Sequence, residues 1–273
     1  SEITPGSIKV SKTVTSIVVD KNGVIWFGTN GEGLISCENG QFTKYTVENG
    51  LPDNHVNALM LDKEGQLWIG TENGISIYKT KFSPFDKKLP SISIKCFLQD
   101  TEGNIWIGTS DNGIIRMNSQ HENLKVFNTS SGLASNNTRV IFQALNGSIF
   151  IGTNSDGISK FIPRLENANY KGPLFSTIST QHGLSNDHIF SIMQDREKNI
   201  WIGTQLNLNQ YFDEQFEIFG ENDGLKNSLV WSVIQDKNEN FWIGTEGGLV
   251  KFIPEIHKKT TGERLINVSS NSS

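Results

Sequence analysis

Six near-copies of one tetrapeptide constrain this chain more than any other feature in it. Trp26-Phe27-Gly28-Thr29, Trp68-Ile69-Gly70-Thr71, Trp106-Ile107-Gly108-Thr109, Phe150-Ile151-Gly152-Thr153, Trp201-Ile202-Gly203-Thr204 and Trp242-Ile243-Gly244-Thr245 start 42, 38, 44, 51 and 41 residues apart. A period of that size marks an array of small units, none able to bury a core alone, so stacked neighbours must share one. The expectation is a single domain over residues 1–273, with six repeats at about 13–268 between a short N-terminal segment and a loose C-terminal tail.

Each repeat carries the same phrases. In the second, Val56 to Leu61 is an apolar strand ending at Asp62, Lys63-Glu64-Gly65 is a turn, and Gln66 to Thr71 is a second strand. Glu72-Asn73-Gly74 turns again into a third strand, Ile75 to Tyr78, and a fourth follows, as Phe42 to Tyr45 does in repeat one. The unit is a four-stranded antiparallel meander. Asp20, Asp62, Asp100, Asp195 and Asp236 open the first turns, where an acceptor side chain caps nearby backbone. Gly33, Gly74, Gly113, Gly157 and Gly248 supply positive φ in the second turns, and Asn207 stands there in repeat five. Within the signature, Trp shares a face with Gly and Ile with Thr, so both faces need cover and the Gly admits a neighbouring sheet. Sheets stacked like blades satisfy both demands. Repeat four departs, with Phe150 for Trp and a long excursion from Pro163 to Pro173.

Composition excludes several function classes. A net charge of -5 with interspersed signs leaves no basic stripe for phosphate backbones or anionic membranes. No apolar run reaches membrane-span length, and Ser1 to Gly6 is no signal peptide, so the chain reads as a mature or excised soluble piece. Cys37 and Cys96 lack metal or redox spacing and are expected as buried free thiols. No nucleophile elbow, phosphate loop or metal-binding His pair occurs, so no catalytic residue, metal or cofactor is assigned.

The phrases Asn49-Gly50-Leu51-Pro52-Asp53-Asn54-His55-Val56, Gln194-Asp195, Ile200 to Thr204 and Gly74 to Tyr78 resemble the two-component regulator propeller repeat. The resemblance covers nearly the whole chain, and no Gly-His and Trp-Asp pairs of the WD type occur. It implies an all-β fold, a β-propeller of four-stranded antiparallel blades, six by preference, or seven if the terminal segments pool into another blade. It also implies the extracytoplasmic, periplasmic sensor part of a bacterial hybrid two-component protein, often reading oligosaccharides. Two other readings compete: a lyase similar to the streptogramin-inactivating propeller lyases, which use a His and a magnesium ion, and a protein-binding platform, with a homodimer as one form.

In a propeller the first strands line the central channel, and the Gly-Leu loops (Leu51 to His55, Leu133 to Asn137, Leu184 to His188, Leu225 to Leu229) share its mouth with the loops after each Thr. The residue following the strand-opening position is Thr15, Asn57, Lys95, Arg139, Phe190 and Trp231 in the six repeats, so the scaffold does not dictate it. Variation beside a channel mouth is where binding chemistry can be placed. Asn57, Lys95, Arg139, Phe190 and Trp231 are therefore candidate ligand contacts, aromatic rings supplying area and Arg a donor fork. His55 and His188 share one slot in repeats two and five and join the candidates, expected across the mouth from each other but without a third ligand for zinc. Glu72, Asp111, Asp156 and Glu246 in the neighbouring loops are solvated carboxylates with some capacity for a hard cation.

Overall fold

The computed structural model describes residues 13–85, 92–163, 166 and 172–253, with the backbone of 266–267. The first sheet is β1 (Val14–Val19), β2 (Ile25–Thr29), β3 (Leu34–Glu38) and β4 (Gln41–Tyr45), hydrogen-bonded in that order. Five more sheets repeat it, opening with β5 (Val56–Leu61), β9 (Ile94–Gln99), β13 (Thr138–Gln143), β17 (Ile189–Gln194) and β21 (Val230–Gln235). All pairings are antiparallel, and the fold class is a six-bladed β-propeller. The chain divides into two compact units, Ser1–Phe127 and Asn128–Ser273, with three blades in each. The last blade is completed by β24 (Ile266–Asn267), paired with Val250 and Lys251. The N-terminal segment, most of the repeat-four excursion and the C-terminal tail lie outside the described residues, as do the segments of a seventh blade.

The signature strand is the buried centre of each blade. In blades two to five every residue of the strands Leu67–Thr71, Ile105–Thr109, Ile149–Thr153 and Ile200–Thr204 is buried. Gly is required there by close approach: a methyl group on Gly70 would stand 2.6 Å from Ile94 Cγ2, and one on Gly152 would stand 2.6 Å from Ile189 Cγ2. Thr closes the next turn, its hydroxyl donating to the carbonyl of Gly33, Gly74, Gly113, Gly157 or Gly248, or of Asn207. Asn207 has φ 76°, as its place in the turn series required.

The aspartates do more than cap turns. One carboxylate oxygen accepts from the backbone N–H four residues on; the other accepts from the indole N–H six residues on. The indole bonds measure 3.2 Å for Asp20–Trp26, 2.9 Å for Asp62–Trp68, 2.8 Å for Asp100–Trp106, 2.8 Å for Asp195–Trp201 and 2.9 Å for Asp236–Trp242. A buried indole needs an acceptor, and the turn provides it. Repeat four has lost both partners together: Ala144 stands for the Asp and Phe150 for the Trp. The two thiols, Cys37 and Cys96, are half-buried rather than buried.

Candidate functional site

Every first strand carries a β-bulge at its second residue. Val56 pairs with Thr71 and Ala58 with Gly70, leaving Asn57 without a partner in the ladder. The same skip isolates Thr15, Lys95, Arg139, Phe190 and Trp231. A bulge turns its extra side chain out of the pleat, which is why the fold does not dictate that residue. The bulge also reconciles an odd spacing: Val56 and Leu59 are both buried, as are Ile189 and Ile192, and Val230 and Val233, although residues three apart point oppositely on a regular strand.

In the second unit three of these side chains meet. The Arg139 guanidinium carbon lies 4.2 Å from the Phe190 ring centroid, and Phe190 lies 4.5 Å from Trp231 at an interplanar angle of 57°. The far end of the stack is open, with Trp231 45% exposed. Arg139 Nη1 donates to Asn154 Oδ1 at 2.8 Å, and Trp231 Nε1 donates to Glu246 Oε2 at 2.9 Å. Burial lowers the Arg139 pKa from its ordinary value without discharging a guanidinium. Cation, ring and ring form one continuous surface offering stacking area at one end and donors at the other.

In the first unit the same positions form a polar cluster. Asn57 Nδ2 donates to Glu72 Oε1 at 2.9 Å and to the Ile94 carbonyl at 3.0 Å, and Lys95 Nζ donates to the same Glu72 oxygen at 2.8 Å. Burial would raise the Glu72 pKa, but the hydrogen bonds from Lys95 and Asn57 and the Lys95 charge outweigh it and hold the carboxyl at about 2. Glu72 is thus an exposed anion already matched with a cation. Thr15 is likewise occupied, bonding the Val56 carbonyl at 2.5 Å.

Both histidines have other hydrogen-bond partners. The His55 ring stands 2.9 Å from Asp53 Oδ1, and His55 belongs to the first unit. His188 belongs to the second, where its N–H donates to Asn186 and its carbonyl accepts from Gln205. Among the described residues no three His, Cys, Asp or Glu side chains gather as a metal site. In the Gly-Leu loops Leu51, Leu133, Leu184 and Leu225 are buried pegs, each after a Gly with φ near 100°. Asp111 and Asp156 bond Ser110 and Ser155 at 2.7 Å. The partner position escaped the sequence reading as a set: Glu72, Asn154 and Glu246 each stand 15 residues after the bulge residue they bind.

The two-component regulator propeller family model matches residues 9–31, 50–73, 88–111, 183–205 and 224–247. The chain carries two-component regulator propeller repeats. The five matches omit only the repeat built on Ala144 and Phe150. No curated protein matches the chain. Among solved structures, the extracellular domain assigned to the hybrid two component system BT3049 of B. thetaiotaomicron is similar at 27% identity and a TM-score of 0.82, over 94% of this chain and 34% of that one. A second such domain from B. thetaiotaomicron, of the system BT4673, shares the fold at 23% identity and 0.76, over 97% and 34%. The chain therefore spans about a third of the length of these regulator-propeller relatives. Virginiamycin B lyase from Staphylococcus aureus has the same fold at 13% identity and 0.71, over 97% and 87%. Among the described residues no helix is long and apolar enough to cross a membrane.

Proposed function

We propose that this regulator propeller is a ligand-reading, extracytoplasmic part of a bacterial two-component signalling protein rather than an enzyme, and that it binds an oligosaccharide or similar polar ligand on the bulge residues of its first strands. The observation that carries this reading is the stack of Arg139, Phe190 and Trp231. A repeat frame that holds Trp, Gly, Thr and Asp nearly constant spends its variable position on two aromatic rings and a cation in adjacent blades, and leaves one ring exposed. Exposed Trp faces with neighbouring donors suit sugar rings, whose C–H faces stack while hydroxyls bond at the edge. Asn57 and Lys95 form a separate polar cluster within the first unit. The lyase alternative has likeness of fold alone behind it, since among the described residues neither histidine is joined by a metal-binding partner set. A glycan array read against wild type and Trp231→Ala tests the reading: at least one oligosaccharide should bind wild type and lose about tenfold or more in the variant. Absence of any glycan response, with no thermal shift, would overturn it.

A further inference from the structure

The bulge residue and the side chain 15 positions later form a repeated pair, and the pairs differ in charge balance. Blade two sets Asn57 against Glu72, which also neutralises Lys95 at 2.8 Å. Blade six sets Trp231 against Glu246. Blade four sets its cation, Arg139, against Asn154, so the position that holds a carboxylate in two other blades holds a neutral amide where a carboxylate is needed most. Among the described residues Arg139 has no ion-pair partner, and the bond to Asn154 occupies only one of its five N–H donors. The Phe190 ring covers one guanidinium face at 4.2 Å, which excludes water there without supplying an anion. A guanidinium covered on one face, with donors left over after its bond to Asn154, has the chemistry to hold a planar oxyanion by two parallel hydrogen bonds.

We propose that the Arg139 site takes a cyclic ligand bearing a carboxylate, an acidic sugar by class, with the carboxylate on the guanidinium edge and the ring on Trp231. This rests on the ligand-reading function above and narrows it from polar to anionic. Phe190 sets the spacing, 4.2 Å from the cation and 4.5 Å from the Trp231 ring, a reach suited to a ligand of disaccharide size. Asn154 positions the guanidinium while leaving its charge uncompensated.

Trp231 gives the test its signal, being 45% exposed while Trp26, Trp68, Trp106 and Trp201 are buried. Tryptophan fluorescence is titrated with tetragalacturonate, with its methyl ester and with inorganic sulfate, using wild type, Arg139→Gln and Asn154→Glu. The free acid should bind wild type about tenfold or more tightly than the ester, since a charge-assisted pair is worth roughly 1.5–3 kcal/mol. Both variants should lose that preference. Asn154→Glu is the sharper one, because the guanidinium remains and only its vacancy is filled from within. Competition by sulfate at millimolar concentration would show that the oxyanion alone is recognised and would support the proposal. Equal binding of acid and ester, or an acid preference that survives in Asn154→Glu with circular dichroism unchanged, overturns the anionic class and leaves the ligand-reading function standing. Failure of tetragalacturonate while a neutral glycan binds on the array does the same. Failure of every probe and every array glycan overturns both.

Discussion

Asp100→Asn is the most incisive perturbation of the scaffold. The Asp100 carboxylate is 4% exposed and accepts three short hydrogen bonds, from the Asn104 backbone N–H, the Asn104 side-chain amide and Trp106 Nε1, each at 2.8 Å. Asparagine keeps the shape but replaces one acceptor oxygen with a donor. An NH2 group in place of Oδ2 faces both Trp106 Nε1 and Asn104 Nδ2, and one in place of Oδ1 faces the Asn104 backbone N–H. Losing a buried charge-assisted bond and stranding its donor costs about 2–3 kcal/mol. Trp106→Phe removes the stranded donor, as repeat four does naturally with Ala144 and Phe150. The cost of Asp100→Asn should therefore fall to about 1 kcal/mol in the Trp106→Phe background, a coupling of about 1–2 kcal/mol. Urea unfolding followed by circular dichroism measures all four corners of the cycle at constant m-value. Equal losses in both backgrounds would refute the pairing argument and return Asp100 to the role of a plain turn cap.

Lys198 occupies the turn position that Gly23, Gly65 and Gly103 fill in other repeats, with φ 73°. Lys198→Gly should stabilise the chain by about 1 kcal/mol, and a Tm that falls or does not move would count against strain there. Gly70→Ala should destabilise by about 1–3 kcal/mol through overpacking on Ile94 and Phe97, read in the same urea assay; a neutral outcome would mean that the neighbouring blade can retreat. Ser191 Oγ is buried with no hydrogen-bond partner, and Ala58 holds its place in repeat two, so Ser191→Ala should be neutral or stabilising by up to about 1 kcal/mol in thermal unfolding. Glu72, depressed to about 2 from an ordinary value of 4.5, contributes stability that is present above pH 4.5 and lost as pH falls through about 2. Lys95→Met should raise the Glu72 midpoint in a carbon-detected NMR titration, and an unmoved midpoint would contradict the role given to Lys95.

The scaffold was legible because the repeat is its own control. Positive φ at the second-turn glycines and at Asn207, close approach at Gly70 and Gly152, and a four-stranded order in every blade all follow from reading one position six times. The Asp–Trp bond was equally present in the sequence, since the one repeat without the indole is also the one without the carboxylate. It went unread because turn capping already explained an Asp there, and backbone chemistry alone does not require the second oxygen. The half-burial of Cys37 and Cys96 depends on neighbours across the sheet that spacing does not reveal.

The site divides along a different physical line. Residue variability located Asn57, Lys95, Arg139, Phe190 and Trp231, and the bulge explains why: a residue outside the ladder is released from the pairing that constrains its neighbours. Variability could not say which of them touch, because contact depends on blade-to-blade offset. Arg139, Phe190 and Trp231 meet in sequence from blade to blade, whereas Asn57 and Lys95 in the first unit close on Glu72. The histidines share a sequence slot without that release. His55 is spent on Asp53, and the His188 backbone is tied to Asn186 and Gln205. Shared position alone is therefore a weak guide to function in a repeat protein. The stronger guide is a bulge residue whose partner 15 positions on fails to balance it, and Arg139 opposite Asn154 is that case.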